Sequence, residues 1–281
     1  MAARLPAAAG SSLLILTVVI VPAETTLPHQ LADLLRDEGR SAAERTWRAL
    51  GARAAGAEVR VTEGDAREEI LRVADEWDAD LVVVGARGLG RMRGFLLGTV
   101  SQAVARDYPG SVLVVKRGTR SLRSALVGLD GSDHALEAVR FLVTLPLPDE
   151  LALCLVGVVE KTPFPRTAPR MIRADLKAAT AAVELERRAA LEHAFTTAQA
   201  LLPRRAAGQS RSTGEPAEEI LRLAKESAVD LIVLGARGLG VVKRLLLGSV
   251  SDAVLRAARC GVLIVKRPPS RARRVAEEES R

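Results

Sequence analysis

Gly85-Ala86-Arg87-Gly88, nine residues, then Gly98-Thr99-Val100-Ser101 is followed 150 positions later by Gly235-Ala236-Arg237-Gly238, nine residues, then Gly248-Ser249-Val250-Ser251. The offset holds without a gap between 62–117 and 212–267, with 30 identities over 56 aligned positions. The chain is therefore two copies of one unit. Before each glycine loop stands a continuous, mostly β-branched run, Leu81-Val82-Val83-Val84 and Leu231-Ile232-Val233-Leu234. Such runs suit strands buried on both faces of a parallel sheet. Amphipathic helical stretches precede them, Glu68 to Glu76 and Glu218 to Glu226, with early glutamates where a helix dipole favours negative charge. Val100 to Arg106 and Val250 to Arg259 are helical in period, and Val112–Val115 and Val262–Val265 close the units as strands. Helix, strand, glycine loop, helix, strand predicts an α/β doubly wound sheet.

The second copy has a full front. Ala125 to Asp130 reads as a first strand, Gly131-Ser132-Asp133 starts a helix with Ser132 as N-cap, and Leu151 to Val159 is a second strand. A long Ala/Leu/Glu/Arg helix spans about Ala174 to Leu202, and the polar run Ser210 to Thr213 suits a third strand at a sheet edge. The first copy opens on Leu13–Val21, which matches the second strand of the other copy, followed by a helical segment from about Leu31 to Ala54 and a strand Glu58 to Thr62. It lacks a counterpart of 125–145: either the unit has lost them or the start of the chain is missing. The expected domains are 1–119, degenerate, and 120–267, complete, with a flexible charged tail at 268–281.

The 281 residues fit two domains of about 100–150 each. Hydrophobic content of 48% is ample for two cores, and with aromatics at 2% those cores must be aliphatic. A net charge of +7 raises a nucleic-acid surface, but no aromatic interleaving or recognition motif accompanies it, so arginine-rich solvated helices are the better reading. Cys154 and Cys260 read as small core residues in a reducing cytoplasm. Arg4 followed by Leu13–Val21 faintly imitates a signal peptide, but the run is too short to span a bilayer and its place in the repeat favours a strand.

The chemistry lies in the second glycine loop. Glycines let a ligand approach main-chain N–H groups, and Gly248 and Ser249 start a helix whose unpaired amides and dipole favour an anion. Ser249 and Ser251 add hydroxyls for phosphate oxygens or a Mg²⁺-bound water. If the strand order is 3-2-1-4-5, the switch point lies between strands one and four, bringing Asp130 to the 235–251 loop, where it can accept hydrogen bonds from adenine or ribose. The competing role for Asp130 is a turn aspartate before the helix. No G-x-x-x-x-G-K-[ST] is present, and no G-x-G-x-x-G follows a first strand. His29, His134 and His193 form no catalytic set, though His134 lies close enough in sequence to approach the ligand.

The pattern G-2x-G-9x-G-[ST] after a strand, with Leu129-Asp130-Gly131-Ser132 at a first strand's end, resembles the universal stress protein family across nearly the whole chain, and its ATP-binding branch in particular. The resemblance implies tandem five-stranded parallel sheets (adenine nucleotide alpha hydrolase-like), the first without its first strand and helix. It implies ATP, with or without Mg²⁺, at Leu129, Asp130 and Val158 near base and ribose, and at Gly235, Arg237, Gly238, Gly248, Ser249, Val250 and Ser251 along ribose and phosphates. Gly85, Gly88, Gly98, Thr99 and Ser101 would form a crippled or empty second site. It also implies pairing of the two units through Val112–Val115 and Val262–Val265, within one chain or in a homodimer. The expected function is an ATP-binding regulator of the stress response in the cytoplasm, with neither nucleic acid nor membrane as partner. A slow ATPase or autophosphorylating phosphotransferase, and a scaffold indifferent to nucleotide, are the alternatives.

Overall fold

The computed structural model describes residues 11–20, 29–86, 97–116, 122–160, 173–202, 206–238 and 247–266. The first unit contributes β1 (Leu14–Val19), α1 (His29–Leu50), β2 (Glu58–Glu63), α2 (Ala66–Glu76), β3 (Leu81–Gly85), α3 (Thr99–Asp107) and β4 (Ser111–Val115). The second contributes β5 (Ser124–Leu129), α4 (Asp133–Thr144), β6 (Ala152–Val159), α5 (Arg173–Leu201), β7 (Ala206–Thr213), α6 (Pro216–Glu226), β8 (Leu231–Gly235), α7 (Ser249–Ala257) and β9 (Gly261–Val265). The run that imitates a leader peptide is strand β1. The polar strand β7 is longer than its sequence suggests and lies at the sheet edge. The charged tail and Gly88 lie outside the described residues.

Seven strands form one sheet in the order β3-β4-β9-β8-β5-β6-β7. Within the second unit this is 5-4-1-2-3, all parallel, with β5 between β6 and β8. The units meet at the sole antiparallel pair among the described strands, β4 with β9, in the register Val112 to Ile264, Leu113 to Leu263 and Val114 to Val262. The side-chain period of two divides the core. Leu231, Val233, Leu263, Val265 and Leu113 face one cluster with residues of α4 and α5. Ile232, Leu234, Val262, Ile264, Val112 and Val114 face the other with residues of α3, α6 and α7.

A reciprocal clasp reinforces this junction. Lys116, following β4, donates from Nζ to the Leu255 carbonyl in α7 at 2.8 Å. Its repeat partner Lys266, following β9, donates to the Arg106 carbonyl at 2.9 Å and to the Tyr108 carbonyl, at the end of α3. Each ammonium thus meets the carbonyl-rich C-terminus of a helix from the other unit, where the dipole favours a cation.

Among its described residues the first unit has no strand at the position of β5. As a result β1 and β2 form a separate two-stranded parallel sheet, while β3 and β4 continue the large one. Among the described residues no helix equivalent to α4 covers β3 either, and Val83 is 40% exposed where its counterpart Val233 is fully buried. Without such a strand–helix pair among the described residues, the sheet is divided and one face of β3 is bared.

Candidate functional site

The C-terminal ends of β5, β6 and β8 and the N-terminus of α7 surround a cavity of about 390 Å³. All ten candidate residues of the second unit line it: Leu129, Asp130, Val158, Gly235, Arg237, Gly238, Gly248, Ser249, Val250 and Ser251. It sits where the order reverses between β5 and β8, the switch point of the sheet.

Asp130 directly follows β5, and its Oδ1 accepts from the Ser132 amide at 2.9 Å and from the Ser132 hydroxyl at 2.6 Å. Ser132 in turn accepts from the Ala135 amide at 3.2 Å and is the N-cap of α4. The turn-aspartate role is thus real, but it engages one carboxylate oxygen and leaves the group at the cavity wall. The other oxygen, Oδ2, lies against Gly238, so closely that a Cβ there would collide with it. A side chain at 238 would displace the carboxylate, which is a physical reason for glycine at that point of the loop.

The loop is braced from behind. The Ala236 amide donates to the Val265 carbonyl at 2.7 Å, and the Gly248 amide to the Ala236 carbonyl at 2.7 Å. Ser251 is 5% exposed, and its hydroxyl lies 2.8 Å from the Gly235 carbonyl. A carbonyl only accepts, so the Ser251 proton is committed to it. Expected to serve phosphate oxygens or a Mg²⁺-bound water, that hydroxyl lines the cavity and its proton ties the start of α7 to the end of β8. Gly248 caps α7 with no side-chain hydrogen bond, which leaves the first turn of the helix to be satisfied from the cavity side.

Further residues reach the cavity without a signal in sequence. Val156, Ile220, Leu234 and Leu191 make its apolar wall, and Glu160 and Arg187 stand together at its margin, 3.9 Å apart. Arg187 is one of three arginines on α5, and only the packing of that helix across β6 singles it out. His134 contributes its backbone carbonyl against Gly235 rather than a side chain to the lining. His193 is exposed on α5. Among the described residues no cluster of three or more His, Cys, Asp or Glu could hold a metal ion.

The first unit repeats the frame of this loop without the carboxylate. The Ala86 amide donates to the Val115 carbonyl at 2.8 Å and the Gly98 amide to the Ala86 carbonyl at 2.6 Å. The Ser101 hydroxyl lies 3.1 Å from the carbonyls of Ala86 and Gly98, and Thr99 opens α3. Gly85 ends β3 and is exposed. Among the described residues no aspartate equivalent to Asp130 stands beside them, because no strand equivalent to β5 does.

The universal stress protein family model matches residues 1–116 and again 122–266. The chain belongs to the universal stress protein family. A universal stress protein of Thermus aquaticus is 35% identical over 144 residues, 51% of this chain and 98% of that one. One from Methanocaldococcus jannaschii is 28% identical over 160 residues, 55% of this chain and 88% of that one. The crystal structure of a universal stress protein from Archaeoglobus fulgidus, 22% identical, superposes with a TM-score of 0.59 over 92% of this chain and 86% of that one, a likeness of fold. This universal stress protein is thus a tandem of two family units, and no helix among its described residues is long and apolar enough to cross a membrane.

Proposed function

We propose that the chain is an ATP-binding regulatory protein that holds one nucleotide, in the cavity of its second unit. The convergence of Asp130 with Gly238 and the uncapped start of α7 on one cavity is the observation that carries this reading. Val156, Val158, Ile220 and Leu234 offer an apolar slot for the base, and Asp130 offers an acceptor for adenine or ribose. The triphosphate fits along Gly235, Arg237, Gly238, Gly248, Ser249 and Val250, where amides, the Ser249 hydroxyl and the Arg237 guanidinium face an anion. A Mg²⁺ ion would be held by the phosphates. Gly85, Gly88, Gly98, Thr99 and Ser101 would remain a site without a base pocket.

The regulatory part of this reading rests on Lys266. Its ammonium clasps the first unit, and it lies within electrostatic reach of Arg237. A polyanion neutralising Arg237 lightens the repulsion on Lys266, so occupancy of the cavity and the state of the junction are thermodynamically linked. The described free thiols at Cys154 and Cys260 fit a reducing cytoplasm.

Titration calorimetry of the whole chain with Mg²⁺-ATP tests the proposal, together with mass analysis of any nucleotide retained through purification. The expected stoichiometry is one per chain. A value near two refutes the degenerate first site. Neither heat nor a thermal shift at millimolar ATP refutes the nucleotide reading altogether. Sustained phosphate release, lost on Gly248→Val, would replace regulation by catalysis.

A further inference from the structure

The described lining of the cavity holds two guanidiniums, and they stand at different ends of it. Arg237 follows β8, next to the bare amides at the start of α7. Arg187 stands beside Glu160, which directly follows β6. β5 lies between β8 and β6, so two strand spacings, roughly 10 Å, separate the two ends. Arg237 is therefore placed for phosphates, and Arg187 for whatever occupies the other end.

The packing of α5 fixes that position. Arg187, Leu191 and Phe195 recur at the four-residue spacing of one helix face, and Leu191 and Phe195 are buried. A Cβ at Gly157 on β6 would collide with both, and one at Gly131, next to Asp130, would collide with Ala190. The two glycines let α5 lie directly against the ends of β5 and β6, with Arg187 one turn beyond Leu191 at the cavity. This end draws its walls from both faces of the sheet. Val156 and Ile220 belong to the core on the α6 side, and Leu129 and Leu191 to the core on the α5 side. A flat ring standing over the strand ends meets an apolar surface on one face, and Leu191 and Arg187 on the other.

Arg187 is loosely held. Its 3.9 Å separation from Glu160 is too long for a hydrogen bond, and both side chains are part-exposed. One turn and a half further along α5, Glu192 and Arg211 close a two-bond pair at 2.6 Å and 2.9 Å. An open, part-exposed ion pair contributes little, so its guanidinium can be exchanged for a stacking contact at small cost. A planar guanidinium stacks on aromatic faces where a lysine ammonium cannot.

On the basis of the nucleotide reading above, we infer that Arg187 lays its guanidinium over the bound base, opposite Val158 and Ile220, and so selects a purine nucleotide by the area of its ring. Glu160 parks the side chain at the margin and makes no contact with the ligand.

Calorimetry and side-chain NMR of the whole chain with Mg²⁺-ATP and Mg²⁺-UTP test this. Bound ATP should move the Arg187 δ-protons upfield through the ring current of the base. Arg187→Ala should weaken ATP roughly three- to tenfold, in high salt as in low, and weaken UTP less. Arg187→Lys keeps the charge without the plane and should fall between Arg187→Ala and the parent. Glu160→Gln should bind ATP no more weakly than the parent; a loss there assigns the contact to the carboxylate and overturns the inference. ATP binding that leaves the Arg187 protons unmoved, or that survives Arg187→Ala undiminished, overturns this inference alone. A loss that vanishes in high salt, or that is equal for ATP and UTP, assigns Arg187 to the phosphates and also overturns it. A parent chain that binds no ATP removes the nucleotide reading and this inference with it.

Discussion

The two units share 30 of 56 aligned residues through their second halves, yet among the described residues only the second is built around a central strand. In it β5 joins β6 to β8, brings Asp130 to Gly238, and supports α4 over the sheet. In the first unit the described ends of the same glycine loop are braced by the same backbone bonds, but its sheet is divided and no strand equivalent to β5 is found among the described residues. The glycine motif therefore makes a rigid frame by itself, and the site needs the strand beside it. Sequence identity in a loop measures the frame; function depends on what another element brings to it.

The largest effect expected from this comparison is on stability. Val233→Asp puts an unpaired carboxylate at a fully buried position on β8 and should cost more than ~4 kcal/mol or prevent folding. Val83→Asp, the matching change on a residue that is 40% exposed, should cost no more than about 1 kcal/mol. Urea denaturation of both variants measures the contrast, and equal losses would mean that a covering element shields β3 in solution.

Next comes the loop itself. Gly238→Ala drives a methyl group into the Asp130 carboxylate and should weaken ATP at least a hundredfold, about 2.7 kcal/mol. Gly98→Ala, in the first unit's frame, should leave ATP affinity within about twofold, since that frame faces no base pocket. Calorimetry on the pair decides whether the first unit contributes to binding.

Much of this contrast is legible in the chain. The duplication, the buried parallel strands and the absent front of the first unit all follow from periodicity and offset, because strands buried on both faces write continuous apolar runs. Asp130 could be brought to the loop only by assuming a strand order, since nothing local to residue 130 points at residue 238. The Gly235 partner of the Ser251 hydroxyl was hidden for a related reason: one turn into a helix, a serine can face the ligand or reach back to a carbonyl, and only packing decides. The lysine clasp left no signal at all. Lys116 and Lys266 look like solvated ends of strands until the antiparallel meeting of β4 with β9 sets each beside a foreign helix terminus.

A smaller effect separates the proposed roles within the site. Asp130→Ala should weaken ATP by at least about tenfold, ~1.4 kcal/mol, because it removes both the acceptor and the turn that holds Ser132. Asp130→Asn keeps an oxygen for Ser132 and should fall between Asp130→Ala and the parent. Arg237→Ala should lose only about two- to threefold, and less in high salt, as expected of a contact near solvent. If Arg237→Ala and Asp130→Ala lose affinity equally, phosphate attraction rather than the crevice geometry governs binding.

The smallest effect tests whether site and junction communicate. Burial lowers Lys266 to about 8, below the 10.5 of a free lysine, with Arg237 contributing in the same direction. The folded chain then binds fewer protons than the unfolded one between about pH 8 and 10.5, so Lys266 adds stability as pH rises through that window, by up to ~1.4 kcal/mol per unit. Cys260, raised from 9 to about 11, acts in the opposite sense: the folded chain retains a proton that the unfolded one releases, and stability falls as pH rises between 9 and 11. The rise from Lys266 is therefore clearest between pH 8 and 9, before the thiol opposes it. Lys266→Met should abolish that rise. Saturating ATP should shift its onset to higher pH, because phosphate beside Arg237 favours the charged ammonium. Thermal denaturation across pH 8 to 9, with and without ATP, reads both changes. An onset unmoved by ATP would leave the cavity and the clasp as independent features of the same strand ends.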